Sequence, residues 1–198
     1  MANTNSRRVV ANITLSLDGR TTGPGGDYDM GWIVPYAVTD MARNGLVGLT
    51  GATTVLLGRK NYEGFGAYWP TVAQDANADP RDRAFAQWLD RVEKVALSST
   101  LKAAVWNNSR LVSDDPVTVV RALRVQNGGD IVVLASQSII RALLEADEVD
   151  RLSINLAPEL VGAGTRLFQD GLPASSWALT DIMTSASGAV WLYYDRKR

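Results

Sequence analysis

The chain has 198 residues, a formal net charge of −1 and 46% hydrophobic residues, which is typical of a globular protein with a sizeable core. It contains no cysteine and no histidine, which excludes disulfides, Cys/His metal sites, thiol nucleophiles and histidine-dependent triads. The near-neutral charge argues against a nucleic-acid partner. Because no apolar run follows the first residues or approaches the length of a membrane span, we expect a cytoplasmic protein without a membrane partner. Any chemistry must then depend on carboxylates, Lys, Arg, Tyr, hydroxyls, backbone dipoles or a borrowed cofactor.

Strands and helices are predicted to alternate along the chain. An apolar, β-branched strand at 7–17 leads into a loop that ends at Trp32. A helix is predicted at 34–49, a strand at 53–58, and a helix that begins at 59 and ends near Gly64 and Gly66. Asp-Pro pairs begin helices at 78–93 and 115–129, and a further helix is predicted at 137–147. Strands are predicted at 94–100, 130–136 and 150–160, and a hairpin at 177–197.

This order predicts one α/β domain over residues 1–198, because strand–helix–strand units with short connections form parallel sheets. The terminal hairpin adds antiparallel strands at one edge and makes the sheet mixed.

The stretch "LSLDGRTTGPGGDYDMGW" (15–32) is unusually long for a connection without helix or strand. Pro24, Gly25 and Gly26 prevent a helix there. We expect a lid that closes over a ligand, flexible around these residues and hinged between the first strand and Trp32.

Glycine, hydroxyl-bearing and cationic residues follow three further predicted strands, at 58–60, 98–100 and 136–138. Ligands of open α/β sheets bind beyond the carboxyl ends of the strands, and this composition suits an extended anionic ligand. The alternative is that these are ordinary turn and cap residues. The sequence has neither the GxGxxG fingerprint nor a P-loop.

Five stretches together resemble the dihydrofolate-reductase-like family: "SLDGRTTG", "TTVLLGRKNYEGF", "VEKVALSSTL", "WNNSRLV" and "LAPELVGAGTRLF". The resemblance is closest to the riboflavin-biosynthesis reductase branch and its stand-alone bacterial homologues, and it covers about residues 8–195. It implies a three-layer α/β/α fold with a mixed, mostly parallel sheet and a C-terminal antiparallel hairpin. It also implies NADPH as hydride donor to a small pyrimidine- or pteridine-type substrate, no metal, and a homodimer.

The resemblance also implies which residues bind NADPH. The adenosine-side phosphates would be bound by Gly58, Arg59 and Lys60, and the adenosine end by Ser98, Ser99 and Thr100. The turn at the pyrophosphate corresponds to Ala135, Ser136, Gln137 and Ser138. The loop over nicotinamide contains Asp18 and Gly19. Ala135 stands where the family usually has glycine, and its methyl group would crowd the pyrophosphate if the backbone there has a positive φ.

On the substrate side, the resemblance implies that the backbone of Ala11 touches the reacting ring and that Trp32 lies near nicotinamide and substrate, or else anchors the loop in the core. Asp40 would relay a proton as in dihydrofolate reductases, and Arg43 would hold a ribose phosphate as in the riboflavin branch; alternatively the two form a surface ion pair. "GRKNYE" has the dihydrofolate-reductase form rather than the riboflavin-branch form. We therefore expect a reductase of 5-amino-6-(5-phosphoribosylamino)uracil or a related ring, with dihydrofolate reduction or nucleotide binding without this chemistry as alternatives.

Overall fold

The structure, a computed structural model, describes residues 7–198 and contains one eight-stranded mixed sheet. Its strand order is β4-β3-β2-β5-β1-β6-β8-β7, and only the last two strands run antiparallel to their neighbours. The strands are β1 (Val9–Ser16), β2 (Thr54–Gly58), β3 (Glu93–Leu97), β4 (Ser109–Val112), β5 (Ile131–Leu134), β6 (Arg151–Ala157), β7 (Ser176–Thr184) and β8 (Val190–Lys197). The predicted parallel sheet with a terminal hairpin is confirmed.

The helices cover both faces of this sheet, which gives three layers. They are α1 (Val34–Ala37), α2 (Asp40–Val47), α3 (Arg59–Gln74), α4 (Pro80–Arg91), α5 (Pro116–Arg124) and α6 (Gln137–Glu145), and a 3₁₀ turn (Gly31–Ile33) precedes α1. Side chains of α5 and α6 pack on one face, and those of α2, α3 and α4 pack on the other. Neighbouring residues of a strand serve opposite layers: Leu56 belongs to the first core, and Val55 and Leu57 belong to the second.

Two predicted helices differ from the structure, and one strand was not predicted. The helix predicted at 34–49 is divided, because Thr39 has extended backbone angles and its hydroxyl caps α2 by accepting from the N–H of Ala42. Helix α3 continues through Gly64 and Gly66 to Gln74. Each helical glycine costs about 1 kcal/mol relative to alanine, and the burial of aromatic side chains on this helix offsets that cost. Strand β4 was not expected, because its four residues have little apolar pattern of their own and form a strand by pairing with β3.

Helix α2 approaches β8 closely at Gly45. A Cβ atom at this position would lie 2.5 Å from ring carbons of Trp191. The indole of Trp191 is buried and donates to Oγ of Ser153 at 2.9 Å. Glycine is therefore required here.

Lys94 on β3 has its charged group inside the protein, with no exposed surface. Its Nζ donates to the carbonyl oxygens of Leu89, Asp90 and Val92 at 2.7–3.0 Å, where α4 ends, and lies over the ring of Trp106. Burial lowers the pKa of Lys94 to about 8. The ammonium group joins the end of α4 to the sheet and complements the negative end of the helix dipole.

Candidate functional site

A cavity of about 600 Å³ opens at the carboxyl ends of β1, β2 and β5, which are neighbours in the sheet. This is the edge where ligands of open α/β sheets bind. Seven of the residues expected to bind the cofactor line the cavity: Gly58, Arg59, Lys60, Ala135, Ser136, Gln137 and Ser138.

Helices α3 and α6 begin at this cavity, and their first N–H groups are not capped by side chains. Gly58 and Ser136 are the N-cap residues, and neither makes a side-chain cap hydrogen bond. The other described helices of eight or more residues, α2, α4 and α5, are capped by Thr39, Asp79 and Asp115. The two helix starts at the cavity thus leave backbone donors and the positive end of a helix dipole available to an anion.

Ser136 fastens these two helix starts to each other. Its Oγ accepts from the backbone N–H of Gly58 at 2.8 Å and from the side-chain amide of Asn61 at 3.1 Å, and donates to the carbonyl of Leu134 at 3.0 Å. The side chain is almost fully buried. Its hydroxyl is therefore engaged within the protein and is not available to a ligand.

Two cations lie at the start of α3. Arg59 pairs with Glu63 one turn later, at 2.9 Å, and both side chains are exposed. Lys60 pairs with Asp27, which belongs to the long loop and lines the opposite wall of the cavity. Since both pairs are exposed, each contributes little stability, and either cation can exchange its carboxylate for a phosphate.

A second depression of about 440 Å³ adjoins the cavity and shares Gly58, Arg59 and Ser138 with it. The predicted residues Ser98, Ser99 and Thr100 line this depression, after the end of β3. The hydroxyl of Ser98 accepts from the backbone N–H groups of Thr100 and Leu101 at 3.1 and 3.0 Å, which fixes the turn. The three predicted phosphate-type segments are therefore brought together along one edge.

Ala135 has a positive φ of 52°. Its N–H donates to the carbonyl of Asn12 at 2.8 Å, and its carbonyl accepts from Gln137 at 3.0 Å, so β1 and α6 hold this conformation from both sides. The backbone therefore has the positive φ at which the methyl group of Ala135 was expected to crowd a pyrophosphate.

The first half of the long loop is fastened to the segment at 159–167. The carboxylate of Asp18 accepts from the hydroxyl of Ser16 at 2.7 Å and from the N–H groups of Val161 and Gly162 at 3.1 and 3.0 Å. The Ser16 bond, with these backbone bonds, holds the pKa of Asp18 well below its usual range. Gly164 has a positive φ, and a Cβ atom there would lie 2.1 Å from the carbonyl oxygen of Thr22.

These contacts fix the first half of the loop, so the lid expected between the first strand and Trp32 would move only in its second half. Asp18 and Gly19 belong to the fastened half and do not line the cavity. The remaining segment, 23–30, is closed by a hydrogen bond from the N–H of Gly23 to the carbonyl of Asp29, and Asp27 and Met30 line the cavity.

Asp40 and Arg43 are placed outside the cavity. The side chain of Asp40 is 81% exposed and accepts from Arg81 at 2.6 Å. Arg43 donates to Asp82 at 2.8 Å and also pairs with Asp79, which joins α2 to α4. This geometry corrects the expected proton relay and phosphate contact: both residues form surface ion pairs, with Arg81 and Asp82 rather than with each other.

Ala11 and Trp32 also lie outside the cavity lining. Ala11 is completely buried between β5 and β6, while the following residues of β1, Asn12, Ile13 and Thr14, reach the cavity. Trp32 is half-buried with its indole N–H inside the protein, which agrees with the anchoring alternative.

Several cavity residues were not predicted, namely Asn12, Asp27, Met30, Asn61, Phe65, Trp69 and Phe85. The i, i+4 spacing of Asn61, Phe65 and Trp69 places these three on one face of a helix. A helix expected to end near Gly64 does not include Phe65 and Trp69, so the sequence did not predict that face. Within residues 7–198 no group of acidic side chains could hold a metal ion, and no helix is long and apolar enough to cross a membrane.

Comparison with known proteins gives matches along nearly the whole chain. The model of the RibD C-terminal domain family matches residues 7–191. YyaP of Bacillus subtilis, a protein of uncharacterised function, is 25% identical over 193 residues, which are 97% of this chain and 96% of YyaP.

Two solved structures share the fold. One, from Shewanella sp. PV-4 and described as a riboflavin biosynthesis protein, has a TM-score of 0.68 at 19% identity and covers 96% of this chain and 99% of its own. The other, dihydrofolate reductase from Enterococcus faecalis complexed with NADP(H), has a TM-score of 0.60 at 14% identity, with 96% and 97% covered. The predicted dihydrofolate-reductase-like α/β fold is confirmed.

Proposed function

The chain belongs to the RibD C-terminal domain family, and on this basis we propose that it is an NADPH-dependent reductase of a planar pyrimidine- or pteridine-type ring. NADPH would be held at the starts of α3 and α6, and when bound it would supply a hydride to an electrophilic carbon of the acceptor. The observation that carries the proposal is the pair of uncapped helix starts at one cavity, beside two cations.

The donor set of the site fits a dinucleotide with phosphates at two places. The N–H groups at the starts of α3 and α6 would hold the pyrophosphate, with Lys60 adding a positive charge. Arg59 and the turn at 98–100 border the second depression, which would receive the adenosine end with its 2′-phosphate. Asn12 and Thr14 on β1 also line the cavity.

The chain's other contribution is to exclude water and limit motion. Phe65, Trp69 and Phe85 give the cavity aromatic walls, and Asp27 and Met30 of the segment at 23–30 also line it. A closed, apolar environment strengthens the electrostatic interactions at the reacting ring. The fastening of the first half of the loop at 159–167 confines this motion to a short segment.

Binding of NADPH tests the proposal directly. Fluorescence titration with NADPH and NADH should show tighter binding of NADPH, because only NADPH carries the 2′-phosphate. Lys60→Met should weaken NADPH about tenfold or more, since a hydrogen bond to a charged group contributes about 1.5–3 kcal/mol. Lys102→Met is the matched control, because Lys102 is exposed and lines neither depression.

The proposal fails if NADPH at millimolar concentration neither binds nor raises the melting temperature. It also fails if the two lysine variants lose affinity equally, because binding would then reflect net charge alone. Consumption of NADPH is followed at 340 nm with 5-amino-6-(5-phosphoribosylamino)uracil and with dihydrofolate, the two acceptors expected from the sequence.

A further inference from the structure

The cavity extends along one face of α3 and changes character along it. Lys60 and Asn61 lie at its start, Phe65 one turn later and Trp69 one turn beyond that, and all of them line the same cavity. At 1.5 Å rise per residue, Asn61 and Trp69 are about 12 Å apart along the helix axis. The cavity therefore has a charged end at the start of α3 and an apolar end two turns away.

The apolar end is built from aromatic and aliphatic side chains of four segments. Trp69 and Phe85 meet edge to face with their ring centroids 4.8 Å apart, and Phe85 is only 1% exposed. The other walls at this end come from Met30, Ile33, Leu46 and Phe65. A flat ring fits such walls, because offset and edge-to-face aromatic contacts are favourable beyond the area that they bury.

Charge is confined to the other end. Of the described residues that line the cavity, only Asp27, Arg59 and Lys60 are charged. Arg59 and Lys60 are consecutive at the start of α3, and Asp27 is paired with Lys60. Three cations on α2 and α4 lie near the apolar end in sequence, and none of them lines the cavity. Arg43 and Arg81 are engaged by carboxylates outside it, and Arg83 donates to the carbonyl oxygens of Asp75 and Ala76.

A phosphate or carboxylate at the apolar end would therefore lose its water without gaining a cation. An isolated anion in such surroundings is strongly disfavoured. A cationic ring finds no carboxylate among the described residues at that end. Neutral polar groups are available nearby on β1, where Asn12 and Thr14 line the cavity.

We propose that the apolar end takes an uncharged aromatic ring that carries no phosphate and no carboxylate. That this ring is the hydride acceptor rests on the proposed function. That the cavity prefers an uncharged ring concerns binding alone. It separates this chain from reductases of phosphoribosylated pyrimidines, because the cation that such a substrate needs is absent from the described lining.

Calorimetric titration with a matched pair of probes tests the inference. 1-Naphthol and 1-naphthyl phosphate share one ring system and differ in the phosphate. Both are titrated with saturating NADP⁺ present, so that Arg59 and Lys60 are already occupied. We expect 1-naphthol to bind at least tenfold more tightly.

Two substitutions in the lining, one that removes an aromatic ring and one that adds a cation, test whether the apolar end causes this preference. Trp69→Leu should weaken 1-naphthol about three- to tenfold, whereas Trp177→Leu on β7 should not change it. Ala37→Arg places a cation in the lining at an exposed position and should tighten 1-naphthyl phosphate without loss of folding.

Each outcome decides one of the two proposals. Equal or tighter binding of 1-naphthyl phosphate in the presence of NADP⁺ overturns the inference and leaves the reductase proposal standing. Failure of NADP⁺ to bind overturns the reductase proposal, whereas weaker binding of 1-naphthol in Trp69→Leu but not in Trp177→Leu supports the ligand class. If Trp69→Leu does not fold, an unchanged probe preference in Ala37→Arg overturns the inference.

Discussion

Ala135 is a local conflict between sequence and backbone that a single substitution should relieve. The residue has φ 52° at the turn between β5 and α6, a conformation that glycine adopts without strain. Two backbone hydrogen bonds, to Asn12 and from Gln137, hold it there. Ala135→Gly keeps both bonds and removes only the methyl group.

The expected effect is a small stabilisation. A left-handed conformation costs a non-glycine residue about 1–2 kcal/mol, and the substitution removes this cost. The greater freedom of glycine in the unfolded chain opposes it by about 0.4–1 kcal/mol. The free energy of unfolding should therefore rise by about 0.5–1 kcal/mol, which for a chain of this size raises Tm by roughly 1–4 °C.

Ala84→Gly is the matched control, because Ala84 is exposed inside α4. It should destabilise the protein by about 1 kcal/mol. Urea unfolding of the wild type and both variants gives the comparison, with equal m-values as a check on two-state behaviour. Equal destabilisation by both substitutions would refute the strain at Ala135. Ala135→Gly should also bind NADPH at least as tightly as the wild type, because Ala135 lines the cavity and the substitution removes its methyl group.

Three further predictions concern other parts of the molecule. Asp27→Asn should tighten NADPH two- to fivefold in a fluorescence titration, because an exposed ion pair of about 0.2–1 kcal/mol no longer competes for Lys60; unchanged or weaker binding would contradict this. Ser136→Ala should lower the free energy of unfolding in urea by about 1–3 kcal/mol, since it leaves buried polar groups unpaired, whereas the exposed Ser138→Ala should change it by less than about 0.5 kcal/mol. The pKa of Lys94 is about 8 in the folded protein and 10.5 ordinarily, so between these pH values the unfolded chain binds more protons than the folded one. The stability of the wild type relative to Lys94→Met should therefore rise as the pH increases through this window. A difference in stability that falls with pH would refute the lowered pKa.

The strand–helix order and the sheet edge that carries the site could be predicted, because each depends on local pattern. Apolar strands, Asp-Pro helix starts and residues that follow strands are all visible in single stretches of sequence. The length of α3 could not, because the packing of Phe65 and Trp69 against α4 outweighs the two glycines that punctuate it. Strand β4 depends on pairing with β3 and has little pattern of its own.

The charged end of the site was predictable and the apolar end was not. The residues at 58–60 and 135–138 follow strands directly, so their position is determined by the sheet. Phe65, Trp69 and Phe85 reach the cavity only through the packing of α3 on α4. Asp40 and Arg43 have the residue types for the expected roles, but carboxylates and guanidinium groups on α4 engage them instead.

Three positions where the chain departs from local stability lie at one cavity. It caps α2, α4 and α5 with Thr39, Asp79 and Asp115, yet leaves the starts of α3 and α6 uncapped. It also keeps Ala135 in a left-handed conformation between those two starts. A missing cap costs about 1 kcal/mol, so such departures persist most readily where they serve a ligand. An anion on these N–H groups would replace the missing caps, and binding of NADPH should therefore raise protection of the first turns of α3 and α6 in hydrogen exchange more than that of α5.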